Sequence, residues 1–364
     1  MKKNLFIVPH RIDRSPGQRF RFEQYLAFLE EKGFESTISY IISEKDDKIF
    51  YAKGKILSKF WILLKSIFIR IKDVRRAKEF DIIFIYREAL MLGSTFFEKR
   101  LRKKNKKIVF DFDDAIWLND VSEGNKYLFW LKNPSKTSTI IKLSAMVLAG
   151  NNYLAKYAAQ YNNNINVIPT TLNTNIFKPI TKSEIRDILC IGWTGTSTTL
   201  KHFKLLLPVL IKIKKKYGES VYFKVISDVP FIAEELEVVN CKWNLKTEVE
   251  DLSEIDIGIM PLPDDEWAKG KCGFKGLQYM SLEIPAIMSP VGVNTEIIQD
   301  GVNGFLAKTE GEWIKKIFML IESPVLRKQL GVNGRKTVVD KFSFDSQKQK
   351  YLDCFEELLI KGNN

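Results

Sequence analysis

The chain has 364 residues, a net charge of +13, 45% apolar residues and 12% aromatics, enough length and apolar material for about two buried cores. That composition excludes a disordered chain and a disulfide-stapled mini-domain. The four cysteines, Cys190, Cys241, Cys272 and Cys354, show no C-x-x-C spacing, and His10 and His202 stand far apart, so no Cys/His metal site is expected and free thiols in a reducing compartment are the simpler reading.

The N-terminus is not a signal peptide: Lys2-Lys3 leads only into Leu5 to Val8 and then into Pro9, His10 and Arg11, the pattern of a first strand. Short β-branched or aromatic runs then alternate with helical periods, predicting strands at residues 4–8, 36–41, 81–86, 107–112, 145–149 and 166–168. After residues 169–179 the pattern restarts, with strands expected at 188–193, 221–227, 255–260, 286–289 and 304–306 and helices at 200–216 and 276–282. Several runs are apolar almost throughout, as parallel strands covered on both faces require. Two successive βα series predict two doubly wound α/β domains, over residues 1–172 and 173–345, with a terminal helix over 346–364 returning to the first.

The positive charge is local. Residues 53–78 carry +8 and residues 98–107 carry +6, which leaves −1 for the rest of the chain. In 53–78, Ile56, Leu57, Phe60, Trp61, Leu64, Ile67, Phe68, Ile71 and Val74 recur at three- and four-residue steps, one face of a helix, with Lys55, Lys59, Lys65, Lys72 and Arg76 mostly off it. Such a helix either lies in an anionic lipid interface or packs on a core with a solvated basic back. It does not span a bilayer, because Lys65, Ser66 and Arg70 interrupt its apolar run, which falls short of the roughly 20 residues needed. Nucleic-acid binding is the competing use of the charge, but large apolar residues at helical spacing and no recognition module argue against it.

In open α/β sheets ligands bind beyond the carboxyl ends of the strands. In the first half those places hold Gly17 with Arg19 and Arg21, then Asp111-Phe112-Asp113-Asp114, then Gly150-Asn151-Asn152. In the second half they hold Gly192-Trp193-Thr194-Gly195-Thr196-Ser197, with Ser197 or Thr198 placed to cap a helix carrying Lys201, then Lys269-Gly270-Lys271-Cys272-Gly273-Phe274-Lys275, and then Ser289-Pro290-Val291-Gly292-Val293-Asn294. Small residues admit backbone N–H groups to a phosphate and lysines neutralise it, so three such loops in one domain point to a nucleotide diphosphate. No Walker A loop is present and no G-x-G-x-x-G follows the first strand, which disfavours a P-loop ATPase and a simple dehydrogenase.

Residues 255–306 resemble the donor-binding region of retaining GT-B glycosyltransferases, glycosyltransferase family four. The resemblance rests on Lys275-Gly276-Leu277-Gln278-Tyr279-Met280, the loop 289–294 with Glu296, and Asn303-Gly304-Phe305-Leu306, and extends more loosely over most of the chain. It implies two Rossmann-like domains facing a central cleft, and a sugar nucleotide of the UDP or GDP type, UDP being favoured, held by Gly192, Thr194, Gly195, Lys201, Lys271, Lys275, Gln278, Gly292, Val293, Asn294 and Glu296. One departure matters: Gly270 and Gln278 stand where the family often has two glutamates. Gln278 can still bond ribose hydroxyls, and Glu266, Asp265 or Asp264 could supply the missing acid.

Glycosyl transfer builds negative charge on the leaving diphosphate, which Lys201, Lys275 and Lys271 could meet, so no metal or other cofactor is expected. Asp113 and Asp114 are read as acceptor-positioning or catalytic groups, with a helix N-cap as the plainer alternative, and Glu266 and Lys275 complete the catalytic set. Gly17, Arg19, Arg21 and Asn151 are assigned to the acceptor, the arginines to the phosphate of a lipid-linked one. The expectation is a cytoplasmic enzyme, peripheral at the inner face of the cell membrane, that adds a sugar with retention to a lipid-linked oligosaccharide or glycan in surface polysaccharide synthesis. An epimerase or phosphorylase of the same fold is the alternative.

Overall fold

The structure, a computed structural model, describes residues 1–52, 54–118, 133, 135–180 and 188–361; Lys53 of the expected basic helix lies outside them. The chain forms two compact units, one of Met1–Thr170 together with the chain from Gln347 on, the other of Thr171–Ser346.

In the first unit the described strands are β1 (Lys2–His10), β2 (Phe34–Ile42), β3 (Ile82–Tyr86), β4 (Ile108–Phe112), β5 (Met146–Ala149) and β6 (Ile165–Val167). All pair in parallel, in the order β2-β1-β3-β4-β5-β6. Between them run α1 (Pro16–Arg21), α2 (Leu26–Glu31), α3 (Glu44–Phe50), α4 (Ile56–Arg76), α5 (Phe96–Lys104), α6 (Ser135–Leu143) and α7 (Asn152–Ala158). The second unit holds β7 (Leu189–Thr194), β8 (Val221–Ser227), β9 (Val239–Lys242), β10 (Ile257–Met260), β11 (Ala286–Met288) and β12 (Phe305–Leu306) in the order β12-β11-β10-β7-β8-β9, again all parallel. Its helices are α8 (Leu200–Lys204), α9 (Leu207–Tyr217), α10 (Glu248–Ser253), α11 (Glu266–Lys269), α12 (Phe274–Ser281), α13 (Asn294–Ile297), α14 (Glu310–Glu322) and α15 (Pro324–Lys341). The last helix, α16 (Phe344–Lys361), starts in the second unit and packs on the first.

The central strands of each sheet are buried on both faces, as their apolar runs require. In the first unit β3 and β4 are buried at every position, and Phe6 of β1 lies 4.7 Å from Phe84 of β3, ring centre to ring centre. Phe355 of α16 closes this layer at 6.4 Å from Phe6 and 6.2 Å from Phe84, while Tyr351 stacks on Tyr25 at 4.2 Å. The expected helix at 200–216 is two helices, parted at Leu205 and Leu206, with Pro208 in the first turn of α9, where its missing N–H leaves no helical bond unmade.

Arg21 departs from its expected role. Its side chain is fully buried and makes a two-pronged ion pair with Asp111, Nε to Oδ1 at 3.0 Å and Nη2 to Oδ2 at 2.8 Å, while Nη1 donates to the Ile168 carbonyl. Burial raises the Asp111 carboxyl and the Arg21 guanidinium pulls the other way, leaving it at about 6. Breaking such a buried pair costs about 3–5 kcal/mol, because the surviving charge has no solvent. Arg21 therefore pins α1 to β4 in the core and is not presented to an acceptor phosphate.

The helix α4 also differs from its core-facing alternative. The stripe it buries is Ile62, Ser66, Arg70 and Asp73, held by polar bonds: Arg70 pairs with Asp73 at 2.9 Å and donates to the Val8 carbonyl of β1 at 2.8 Å and to Ser39 Oγ of β2 at 3.0 Å. The large apolar residues point elsewhere. Ile56 and Leu57 are each 80% exposed, Trp61 69%, Phe68 56% and Phe60 52%. Lys72 Nζ lies 4.7 Å from the centre of the Phe68 ring, so a basic fringe borders an uncovered apolar face.

Candidate functional site

In the second unit β7, first in sequence, lies between β8 and β10, so the winding of the chain reverses between β7 and β10. That reversal opens a crevice at the strands' carboxyl ends, where doubly wound folds bind ligands. The loops after β7, β10 and β11 are stitched together there. Tyr279 of α12 accepts the Thr194 N–H at 2.9 Å, Ser289 Oγ accepts the Leu262 N–H at 2.9 Å, and Asn294 Nδ2 donates to the Ser289 carbonyl at 2.9 Å. Gly292 has φ +56°, and a Cβ there would sit 2.6 Å from the Lys269 carbonyl oxygen. Only glycine lets these two backbone segments approach so closely.

Cations gather at this edge. Lys275 occupies the first turn of α12, its ammonium 5.5 Å from the centre of the Trp193 ring, and Lys271 lies 5.1 Å from that of Trp267. His202 of α8 is buried, and its pKa is lowered to about 4, first by burial and then by the charges of Lys275, Lys201 and Lys271. The three lysines assigned to a diphosphate thus all act on one imidazole, against the pull of Asp265.

Around them the remaining expected donor residues divide. Gly192, Thr194, Gly195 and Val293 belong to the strand-end segments just described, and Glu296 is exposed on α13. Gln278 is buried in α12, its Nε2 donating to Glu248 Oε1 of α10 at 3.1 Å, and Glu248 also accepts from Trp243 Nε1 at 3.2 Å. A carboxylate absent at position 278 therefore stands beside it, supplied by another helix. Asp265 caps α11, its Oδ1 accepting the Ala268 N–H at 2.7 Å. Glu266 is exposed and paired with Lys269 at 2.6 Å. The expected cap of the Lys201 helix is displaced: Thr199 occupies that position, and Ser197 bonds Asp228 through its N–H and hydroxyl.

The first unit reverses its winding between β1 and β3. There the loop after β1 passes so close that a Cβ on Gly17 would lie 2.0 Å from Tyr86 Oη and 3.1 Å from Asp113 Oδ2. Tyr86 donates to Asp113 Oδ1 at 2.9 Å, and Arg87 Nε to the same oxygen at 2.8 Å, while Arg87 Nη2 reaches Asp114 at 2.5 Å. Burial works against the charge on Arg87, but Asp113, Tyr86 and Asp114 outweigh it and raise its pKa still further. His10 closes the group from the end of β1, its Nε2 3.1 Å from Tyr51 Oη. Its pKa is lowered to about 4 by burial and then by Arg14, against the pull of Asp47 and with further lowering from Arg87. Asn151 spends its side-chain oxygen capping α7, accepting from the Leu154 N–H at 2.9 Å. Arg19 is half-buried with its guanidinium 4.7 Å from the centre of the Phe20 ring.

Arg87, His202 and Glu248 had no motif to announce them. Arg87 and His202 follow strand ends, the one signal that could have drawn attention to them. Among the described residues no group of three or more His, Cys, Asp or Glu side chains is placed to hold a metal ion, and no helix is long and apolar enough to cross a membrane.

The two doubly wound units, each built on a parallel six-stranded sheet, have the GT-B fold. Residues 186–323 match the family Glycosyl transferases group 1, and the chain is a glycosyltransferase. Its fold is similar to that of a sucrose-phosphate synthase from Thermosynechococcus elongatus, at a TM-score of 0.72 and 13% identity over 99% of this chain and 100% of that one. A glycosyltransferase from Rickettsia africae gives 0.69 and 16% over 98% and 99%. Anabaena HepE in complex with UDP-glucose gives 0.66 and 12% over 98% and 100%. No sequence among curated proteins matches the chain.

Both histidines are held neutral by the folded chain, so the unfolded chain, with its ordinary value near 6.5, takes up protons first as pH falls. Their contribution to stability is complete above about pH 6.5 and is lost progressively down to about pH 4. Urea unfolding of the wild type and of the double variant His10→Gln, His202→Gln checks this: the gap between them should narrow as pH falls through that window, and should be flat above it.

Proposed function

We propose that the second unit binds a UDP-sugar and the first unit an acceptor sugar chain carried on lipid, and that the enzyme transfers the sugar with retention of configuration in surface polysaccharide synthesis. The observation that carries the donor assignment is the glycine-lined strand edge, where Gly292 packs on the Lys269 backbone and Lys275 stands in the first turn of α12 beside Trp193. As the bond from the anomeric carbon to the diphosphate oxygen breaks, charge develops on the leaving group. Cations already in place stabilise that state more than the ground state. The binding of UDP-glucose by HepE supports a uridine nucleotide, and Gln278 with Glu248 behind it is assigned to the ribose hydroxyls. Glu266 remains assigned to the transferred sugar. In this reading lysines rather than a metal carry the charge.

An acceptor carried at a membrane is supported by the exposed apolar residues of α4, with Lys72 beside Phe68. Burying several large side chains, at up to about 1.5–3 kcal/mol each, with about 1 kcal/mol per basic residue near anionic lipid, suffices for reversible attachment. The site of action is then the inner, anionic face of the cell membrane.

Replacing Lys275 with Ala should lower transfer by about 10²–10³ and weaken UDP binding while leaving the melting temperature unchanged. Transfer from a panel of UDP-sugars, measured in EDTA, checks this; wild-type turnover by the variant would remove the donor assignment. The double variant Trp61→Ser, Phe68→Ser should keep its melting temperature, because both side chains are already exposed, and lose sedimentation with phosphatidylglycerol vesicles. A variant that still sediments like wild type would remove the membrane assignment.

A further inference from the structure

Arg87 sits one residue beyond β3, at the edge where the first unit reverses its winding, with φ +60°. A non-glycine residue in that region is uncommon and costs free energy, and such strain persists only where the surroundings enforce it. Here the Arg87 N–H is tied to the Asp111 carbonyl at 2.8 Å and the Glu88 N–H to the Tyr86 carbonyl at 2.7 Å. The turn holds the guanidinium on Asp113 and Asp114 together. Tyr86, fully buried, fixes Asp113 from another side, and the absence of a side chain at Gly17 leaves room for that contact.

We infer that Arg87 is a positioning residue for acceptor recognition, fixing Asp113 and Asp114 as a paired carboxylate surface for the hydroxyl groups of a sugar. This rests on the reading that the first unit binds the acceptor. Carboxylate oxygens accept hydrogen bonds, which suits the hydroxyl donors of a sugar and not a phosphate, itself an acceptor. The part of the acceptor that meets this edge is therefore its sugar terminus, and any phosphate is held elsewhere, with Arg19 as its candidate. A lysine cannot replace Arg87, since a single ammonium on a flexible stem lacks the planar fork that spans two carboxylates.

The test uses the full-length chain with UDP-glucose, UDP-galactose and UDP-N-acetylglucosamine as donors and octyl glycosides of glucose, galactose and N-acetylglucosamine as acceptors, taking the pair the wild type turns over. Arg87→Gly suits the backbone, because glycine adopts positive φ freely, so folding is retained while the ion pairs are lost. The expected result is an acceptor KM raised about tenfold to a hundredfold, an unchanged KM for the nucleotide sugar, partial rescue by millimolar methylguanidine, and no recovery in Arg87→Lys. Wild-type acceptor KM in Arg87→Gly, or a loss that methylguanidine does not relieve, overturns the inference. Asp113→Asn and Asp114→Asn separate the two levels: if they impair acceptor use and Arg87→Gly does not, only the role of Arg87 fails, whereas if none of the three alters acceptor use the acceptor reading fails with it.

Discussion

An all-parallel sheet delivers every strand to the same edge, so the loops that follow the strands meet along one line and the connections return on the other side. Where the winding reverses, two of those loops part and leave a crevice. In the second unit that crevice lies between β7 and β10, and its rim is built from residues that tolerate close approach or carry positive charge. Tyr279 and Ser289 bond these segments to one another, and Asn294 braces the loop after β11 from within.

The two units use the same architecture with opposite polarity. The edge of the second unit is cationic around His202, whereas the first places two carboxylates under one guanidinium. A diphosphate suits the former and hydroxyl groups suit the latter. The α4 segment carries much of the net positive charge of the chain, beside large apolar side chains that are mostly exposed. Its buried stripe is anchored by Arg70 and Asp73 instead, and Phe60, Trp61 and Phe68 are more than half exposed.

Much of the fold was legible because parallel strands buried on both faces write themselves as continuous apolar runs. The strand β9 escaped for the converse reason: Val239-Asn240-Cys241-Lys242 is mostly exposed, pairs only with β8, and carries no such run. The α4 stripe was legible as a helix, but periodicity cannot say which face meets the core when the buried face is held by an arginine and an aspartate. Arg19 and Arg21 looked equivalent at the entry to α1. Two residues apart on a helix, they point in different directions, and one is drawn into the core by Asp111, 90 residues away. Glu248 was invisible because its relation to Gln278 exists only once α10 and α12 are folded against each other.

The central claim is that three separate loops of the second unit form one binding edge for a nucleoside diphosphate. Amide hydrogen exchange of the full-length chain with and without UDP addresses it directly. The account predicts simultaneous slowing at residues 192–197, 270–276 and 289–295, with no change at the strand-end residues 86–88 of the first unit. Protection confined to a single loop, or appearing outside these three, would contradict it.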